Sequence, residues 1–405
     1  MEIKSVVPDR VPGPAKLFLV ATALNGMGNG MINVVFQLYL ISLGFESAAI
    51  GTMAMMNPLG AVILTIPAGV LADRYGKKKV MISGFIMIGF SVCLFLVAKT
   101  IEMFMLTFLL IGLSNATFVV LTPLYSSFFD NEDMDRAFGL MGFINIITMS
   151  AGSIMGFIPP MLVKNYGFSL QSSYWTVIAI AGAVILVQMP FYIMSIREVV
   201  DPERRNGFKF ALRSRGVVGK FFFLGLLSMI GGNVFFNLFP FYVNNKFGIE
   251  SDALGILFFG SNFVSAGANA LAPRFSRRLG ALKTIAVVMG LATPFYLLIP
   301  FAPSFALLSA LYVLRLGFRT LADPLTSSLF MRMLHEDEKS TANSIRQMAF
   351  QSGGVLAPWL GGQLMEASLD LPAYLGAGLY AIFAPLSYVL LRSEKEFVVE
   401  PAIPS

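Results

Sequence analysis

Apolar runs recur along this chain between short polar breaks, and each is long enough, at about 1.5 Å per helical residue, to cross a hydrocarbon core. The pattern predicts twelve spans, at about 16–44, 47–73, 77–98, 101–129, 136–164, 171–196, 217–245, 252–275, 281–301, 304–333, 340–366 and 371–392. Six fall in each half. The long polar interruption, Arg197 to Lys220, carries Arg197, Arg204, Arg205, Lys209, Arg213, Arg215 and Lys220 and reads as a linker. The predicted organisation is a tail at 1–15, a helical bundle over 16–196, a linker at 197–216, a second bundle over 217–392 and a tail at 393–405. The opening residues are polar, with Pro8, Pro12 and Pro14, and no apolar core with a cleavage site precedes the first long span, so a cleavable signal is not expected.

The halves echo each other. Leu71-Ala72-Asp73-Arg74-Tyr75-Gly76-Lys77-Lys78 returns as Leu271-Ala272-Pro273-Arg274-Phe275-Ser276-Arg277-Arg278, each time between two apolar runs. Asn33-Val34-Val35-Phe36-Gln37-Leu38 returns as Asn233-Val234-Phe235-Phe236-Asn237-Leu238, and Pro123-Leu124-Tyr125-Ser126-Ser127 as Pro324-Leu325-Thr326-Ser327-Ser328. Duplicated membrane halves predict an all-α membrane protein of two pseudo-symmetric six-helix bundles. They are also the signature of a secondary transporter, with a substrate site near the bilayer midplane.

Composition agrees: 56% of residues are hydrophobic and 13% charged, with mean hydropathy +0.74. The net charge of +6 does not signal nucleic acid, because most of the 29 Lys and Arg residues lie in alternate loops and the tails, where they set topology. The opposite side has only Lys99, Lys164 and Lys246, while Arg315, Arg319 and Arg346 belong to spans. The rich side is expected to be cytoplasmic, with both termini inside and the protein in the cell membrane. The single cysteine, Cys93, excludes an intrachain disulfide and reads as a small residue within a helix.

Gly69-Val70-Leu71-Ala72-Asp73-Arg74-Tyr75-Gly76-Lys77-Lys78-Lys79 resembles the loop signature between helices 2 and 3 of the major facilitator superfamily, with Lys77 in place of its first terminal Arg. The twelve spans and the basic central linker extend the resemblance over essentially the whole chain. It implies a monomeric carrier of small molecules that works by rocking two six-helix bundles. In this loop Gly69 and Gly76 are expected to allow close helix approach and a tight turn. Asp73, at a helix end, is placed to bind basic groups or a helix N-terminus and so to gate the cycle with Arg74, Lys77 and Lys78. The plainer alternative for the lysines is topology alone. In the second copy Pro273 stands where the acid would be.

Polar residues inside spans point to chemistry, because burying them in lipid is expensive. Span 1 carries Asn25, Asn29, Asn33 and Gln37, a stripe about 18 Å long on one face, and span 7 echoes it with Asn233 and Asn237. The family resemblance places helices 1, 4, 7 and 10 around a central cavity, where such amides would orient a substrate; helix-to-helix hydrogen bonding is the alternative. Span 10 holds Arg315, Arg319 and Asp323 at i, i+4 and i+8. Arg319 and Asp323 can pair along the helix, leaving Arg315 uncompensated unless an anion or another acceptor meets it, with Asp323 as the proton-coupling candidate; a fixed internal salt bridge is the structural alternative. Arg346 is placed near the cytoplasmic end of span 11 as a gating residue, with Gln347 and Gln351 deeper.

Drug antiporters of the family usually carry an Arg in helix 4 and Gly-Pro-x-x-Gly-Gly in helix 5. Here the chain reads Gly112-Leu113-Ser114-Asn115-Ala116-Thr117 and Gly156-Phe157-Ile158-Pro159-Pro160, with an approximate copy of the latter motif at Ala357 to Gly362. The sole histidine, His335, lies in the acidic loop His335-Glu336-Asp337-Glu338 and reads as solvated. No phosphate-binding loop or metal-ligand cluster is present in the sequence, so enzymatic chemistry, a cofactor and metal transport are not expected. The reading is a secondary transporter of a small organic anion or anionic amphiphile, with proton-coupled drug efflux as the alternative. A sugar or polyol carrier, or a lipid scramblase or receptor on the same fold, ranks below both.

Overall fold

The computed structural model describes residues 11–118, 121–130, 133–195, 213–335 and 338–392. Most of the linker, 197–212, and the tails at 1–10 and 393–405 lie outside the described residues. The secondary structure within those bounds is helical: α1 Gly13–Ser42, α2 Ser47–Tyr75, α3 Lys77–Val97, α4 Ile101–Thr117, α5 Leu121–Ser126, α6 Met134–Ile154, α7 Ile158–Tyr166 and α8 Leu170–Ser195. The second half continues with α9 Arg215–Asn233, α10 Phe239–Phe247, α11 Ser251–Leu279, α12 Ala281–Leu298, α13 Phe305–Arg332, α14 Lys339–Ala367 and α15 Leu371–Arg392. Every predicted span falls on one or two of these helices. Among the described residues ten helical stretches, counting α6 with α7 and α9 with α10 as one each, are long and apolar enough to cross a membrane; Ile101–Thr117 is shorter, and α14 is more polar. Large apolar side chains point outward, among them Ile86, Phe90, Val187 and Val389, as a hydrocarbon surrounding favours.

Spans 5 and 7 are interrupted by short 3-10 turns at Met155–Phe157 and Phe236–Leu238, and span 9 ends in one at Ile299–Phe301. The interruption of span 7 has a consequence for the domains. The chain forms two compact units, one of residues 1–207 with 238–262 and the other of 208–237 with 263–405. Span 7 therefore changes unit at its 3-10 turn.

In the first unit, α1 lies against α6 through glycines on both helices. A Cβ on Gly152 would come within 3.1 Å of the Gly30 Cα, and one on Gly30 would run into the Met149 carbonyl, so only hydrogen fits at either position. Toward one end of α1, Phe18 packs on Tyr125 and Tyr192 with ring centroids at 4.8 and 5.1 Å, and the Tyr125 hydroxyl donates to the Ala137 carbonyl at 3.0 Å. Buried aromatics of this kind satisfy their hydroxyls while filling the core.

The duplication has a different register from the one the sequence match suggested. Two helices of 29 residues, Ser47–Tyr75 and Ser251–Leu279, end at Gly76 and Gly280, which adopt φ +98° and +79°. The second turn comes one helical turn later than the match of Leu71 with Leu271 required. The equivalent of Asp73 is therefore Arg277, not Pro273, and Arg74-x-Gly76-x-x-Lys79 corresponds to Arg278-x-Gly280-x-x-Lys283. The turn needs a left-handed residue, and glycine fixes where it falls.

Candidate functional site

The charged face of α13 lies entirely within the second unit. Arg315 is 2% exposed, although no carboxylate pairs with it among the described residues. Its Nη2 donates to the Gly232 carbonyl at 3.0 Å and to the Tyr380 hydroxyl at 2.6 Å. Its guanidinium carbon stands 3.8 Å from the Phe236 ring centroid, 4.9 Å from that of Tyr296 and 5.0 Å from that of Tyr380. Ring faces and two oxygens thus replace water around the cation, each ring contributing about 2 kcal/mol at such a desolvated site. Of the two partners open to Arg315, an anion or another acceptor, the second is present: the Gly232 carbonyl and the Tyr380 hydroxyl take its hydrogen bonds inside an aromatic box.

Arg319, one turn along, lies over Gly232, where an added Cβ would come 3.1 Å from its Nε and from the Tyr380 hydroxyl. The pairing of Arg319 with Asp323 along the helix is corrected. No ion pair joins them, in contrast to Arg136 and Asp133, which bridge at 3.5 Å. Both instead line one cavity of about 410 Å³. Phe221, Met229, Met289, Phe350 and Phe383 give it apolar walls, and Ser228, Ser327, Arg346 and Gln347 add polar groups. Asp323 is exposed and supplies its carboxylate. Arg346 donates to the Ser327 hydroxyl and the Asn343 side-chain carbonyl, both at 3.2 Å, and lies 5.2 Å from the Phe350 ring centroid. The Nε atoms of Arg315, Arg319 and Arg346 are all buried without a hydrogen-bond partner.

The amide stripe divides. Asn29 donates to the backbone and side-chain oxygens of Asn25 at 2.8 and 3.0 Å, and Asn29 and Asn33 are exposed. Gln37 is 9% exposed and accepts from the Phe241 backbone N–H at 3.2 Å, within the first unit, so the last member of the stripe joins helices. On α9, Asn233 donates back to the Met229 carbonyl at 3.0 Å, and Asn237 falls in the 3-10 turn. Neither lines the cavity.

In the loop after α2, Gly76 makes the expected turn, but a Cβ on Gly69 would meet nothing within 4 Å, so the close approach expected there is absent. Arg74 is exposed and 5.4 Å from the Tyr75 ring centroid, and Lys78 is half-buried. The side chains of Asp73 and Lys77 lie outside the described residues. In the loop before α14, Glu336 and Asp337 also lie outside them, and His335 is exposed as expected. Glu338 is not solvated: at 1% exposure it accepts from the backbone N–H groups of Arg213 at 2.6 Å, Ser214 at 3.0 Å and His335 at 3.3 Å. It thereby caps the start of α9. Burial alone would raise the pKa of this carboxyl, but hydrogen bonds from Ser214, Arg213 and His335 outweigh it and hold the group below the usual carboxylate range.

Sequence reasoning missed the box residues Gly232, Phe236, Tyr296 and Tyr380. The Gly231-Gly232 pair was a faint signal of close contact, whereas nothing in the chain marks Tyr380 as a partner of span 10.

The helices repeat in two halves, and the second half buries Arg315 among its apolar spans. The sequence profile of the Major Facilitator Superfamily matches residues 18–220 and again 221–402, and the chain belongs to this family as an integral multi-pass membrane transporter. Multidrug resistance protein 1 of Bacillus subtilis (strain 168) is 25% identical over 370 residues, covering 88% of this chain and 90% of that protein. Quinolone resistance protein NorA of Staphylococcus aureus (strain MSSA476) is 22% identical over 363 residues, covering 87% and 90%. Among solved structures, the POT family transporter PepTSo aligns with TM-score 0.74 at 12% identity over 96% of this chain and 99% of that one. The nucleoside transporter NupG aligns with TM-score 0.69 at 17% identity over 95% and 99%. Both carry the same fold.

Proposed function

We propose that the protein exports amphiphilic, drug-like compounds in exchange for protons, by alternating access of two six-helix bundles. The observation that carries this reading is the cavity of the second unit, whose apolar wall of Phe, Met, Leu and Ile faces polar groups and whose carboxylate, Asp323, is exposed and in salt-bridge contact with neither neighbouring arginine. Phe and Met side chains repack around ligands of varied shape, and a wet carboxylate among apolar groups is suited to exchanging a proton. The relatives named for multidrug and quinolone resistance, each matched over about nine-tenths of its length, support the same assignment. The withdrawal of Arg315 into its box takes away the main charge partner of the anion reading. The protein is placed in the cell membrane as a monomer with both termini cytoplasmic, in contact with lipid, substrate and protons and with no nucleic acid or cofactor.

The test is ethidium transport in proteoliposomes. Uptake should follow an imposed pH gradient and collapse when the gradient is dissipated; gradient-independent uptake would sink proton coupling. One observation favours the second reading, an organic anion: Arg319 and Arg346 line the cavity and each keeps a buried Nε without a partner. Counterflow of a radiolabelled aromatic carboxylate, with no ethidium transport, would establish it instead. The exposed Asn29 and Asn33 of α1 are assigned a secondary role as orienting contacts.

A further inference from the structure

The helical ladder of α9 ends with the Val234 N–H on the Ile230 carbonyl at 2.8 Å. Helix resumes at Phe239, after the 3-10 turn Phe236–Leu238. The last carbonyls of a helix lack intrahelical partners, and Gly232 lies in that final turn. Arg315 holds the approach to the interruption and the interruption itself: it donates to the Gly232 carbonyl ahead of it and lies against the Phe236 ring within it. The same guanidinium is tied to α15 through the Tyr380 hydroxyl. Arg315 is absent from the cavity lining, so it does not meet a ligand there.

We infer that Arg315 is a positioning residue of the transport cycle, one that pins the interruption of span 7 to α13 and α15. The chain leaves the second unit immediately after Asn237. This crossing falls at an element end, unlike the later one at 262/263 inside α11, and element ends of this kind serve as hinges. A hinge works only if one side is anchored, and the buried cation is the anchor. Gly232 fits the role, because a larger residue would crowd Arg319 Nε and Tyr380 Oη, both about 3.1 Å from the position of its missing Cβ. The inference rests on the alternating-access reading, but not on the identity of the substrate.

Two variants test it in the full chain. Tyr380→Phe removes one acceptor and keeps the ring; Arg315→Lys keeps the charge but loses the planar fork that reaches two acceptors while lying against rings. Hydrogen exchange, which needs no ligand, should accelerate by about tenfold at residues 233–237 in either variant, with the other helices of the second unit unchanged. In proteoliposomes, ethidium turnover per folded transporter should fall by about tenfold while its KM stays within about threefold of wild type. A raised KM with intact turnover would make Arg315 a substrate contact and overturn the inference. Accelerated exchange throughout the unit would make it a general stabiliser, and local acceleration without loss of turnover would remove it from the cycle; either result also overturns the inference. If the wild-type protein fails to move ethidium, the efflux reading fails, and exchange at 233–237 still decides whether Arg315 pins the interruption.

Discussion

Arg319 and Asp323 stand one helical turn apart on α13 and line the same cavity, yet they form no ion pair. Arg319 Nε lies beside Gly232 and the Tyr380 hydroxyl, while the Asp323 side chain is exposed. Asp323→Asn is expected to abolish proton-driven ethidium accumulation while leaving counterflow within about threefold of wild type, since removing a proton site uncouples transport without blocking binding. Accumulation that survives in the variant would move proton coupling elsewhere.

The loop after α2 gives a second prediction. Asp73 lies at the C-terminal end of a helix, and its structural counterpart, Arg277, carries the opposite charge. Given the gating role proposed for this acid, Asp73→Asn should fold normally and transport at least about tenfold more slowly. A purified variant that turns over at the wild-type rate would leave the loop a topology signal only.

Gly30→Leu is expected to destabilise the first unit by about 1–3 kcal/mol or to prevent folding, since the new side chain meets the backbone of α6 at Met149 and Ser153. Thermal unfolding in detergent measures it. Gly69→Leu is the matched control: open space surrounds that position, and its melting temperature should stay close to wild type.

Glu338 provides the pH test. Its carboxyl is held below the usual range by backbone donors from Arg213, Ser214 and His335, so it stabilises the fold fully above the unfolded value of about 4.3, and the contribution is lost as pH falls through the lower folded value. At neutral pH, Glu338→Gln should cost about 1–3 kcal/mol. The gap in melting temperature between variant and wild type should close as the pH falls below about 4. A gap that persists unchanged under acid would show that the charge is not what caps α9.

Topology is checked by labelling. A cysteine introduced in the linker at Arg204 should stay unreactive toward an impermeant maleimide applied to intact cells and react once the membrane is opened. Labelling from outside would reverse the orientation drawn from the Lys and Arg distribution.

The spans, the duplication and the family were legible in the chain because each depends on local order. Length of apolar run decides what crosses a membrane, and a loop motif such as Asp73-Arg74-Tyr75-Gly76 is contiguous. The i, i+4, i+8 spacing of Arg315, Arg319 and Asp323 likewise placed them on one side of α13, but what each one meets there was not written in that spacing. Arg315 finds its acceptors 83 and 65 positions away, at Gly232 and Tyr380, and the rings of Phe236 and Tyr296 close around it. Glu338 finds two backbone donors more than a hundred residues upstream, at Arg213 and Ser214. Even the register of the repeat was decided by where Gly76 and Gly280 turn the chain rather than by the resemblance of Leu71-Ala72 to Leu271-Ala272. Periodicity determines which face a residue shares, since that follows from the helix alone. Whether a buried charge is spent on the protein or left for a ligand depends on which groups other helices bring to it, and packing alone decides that.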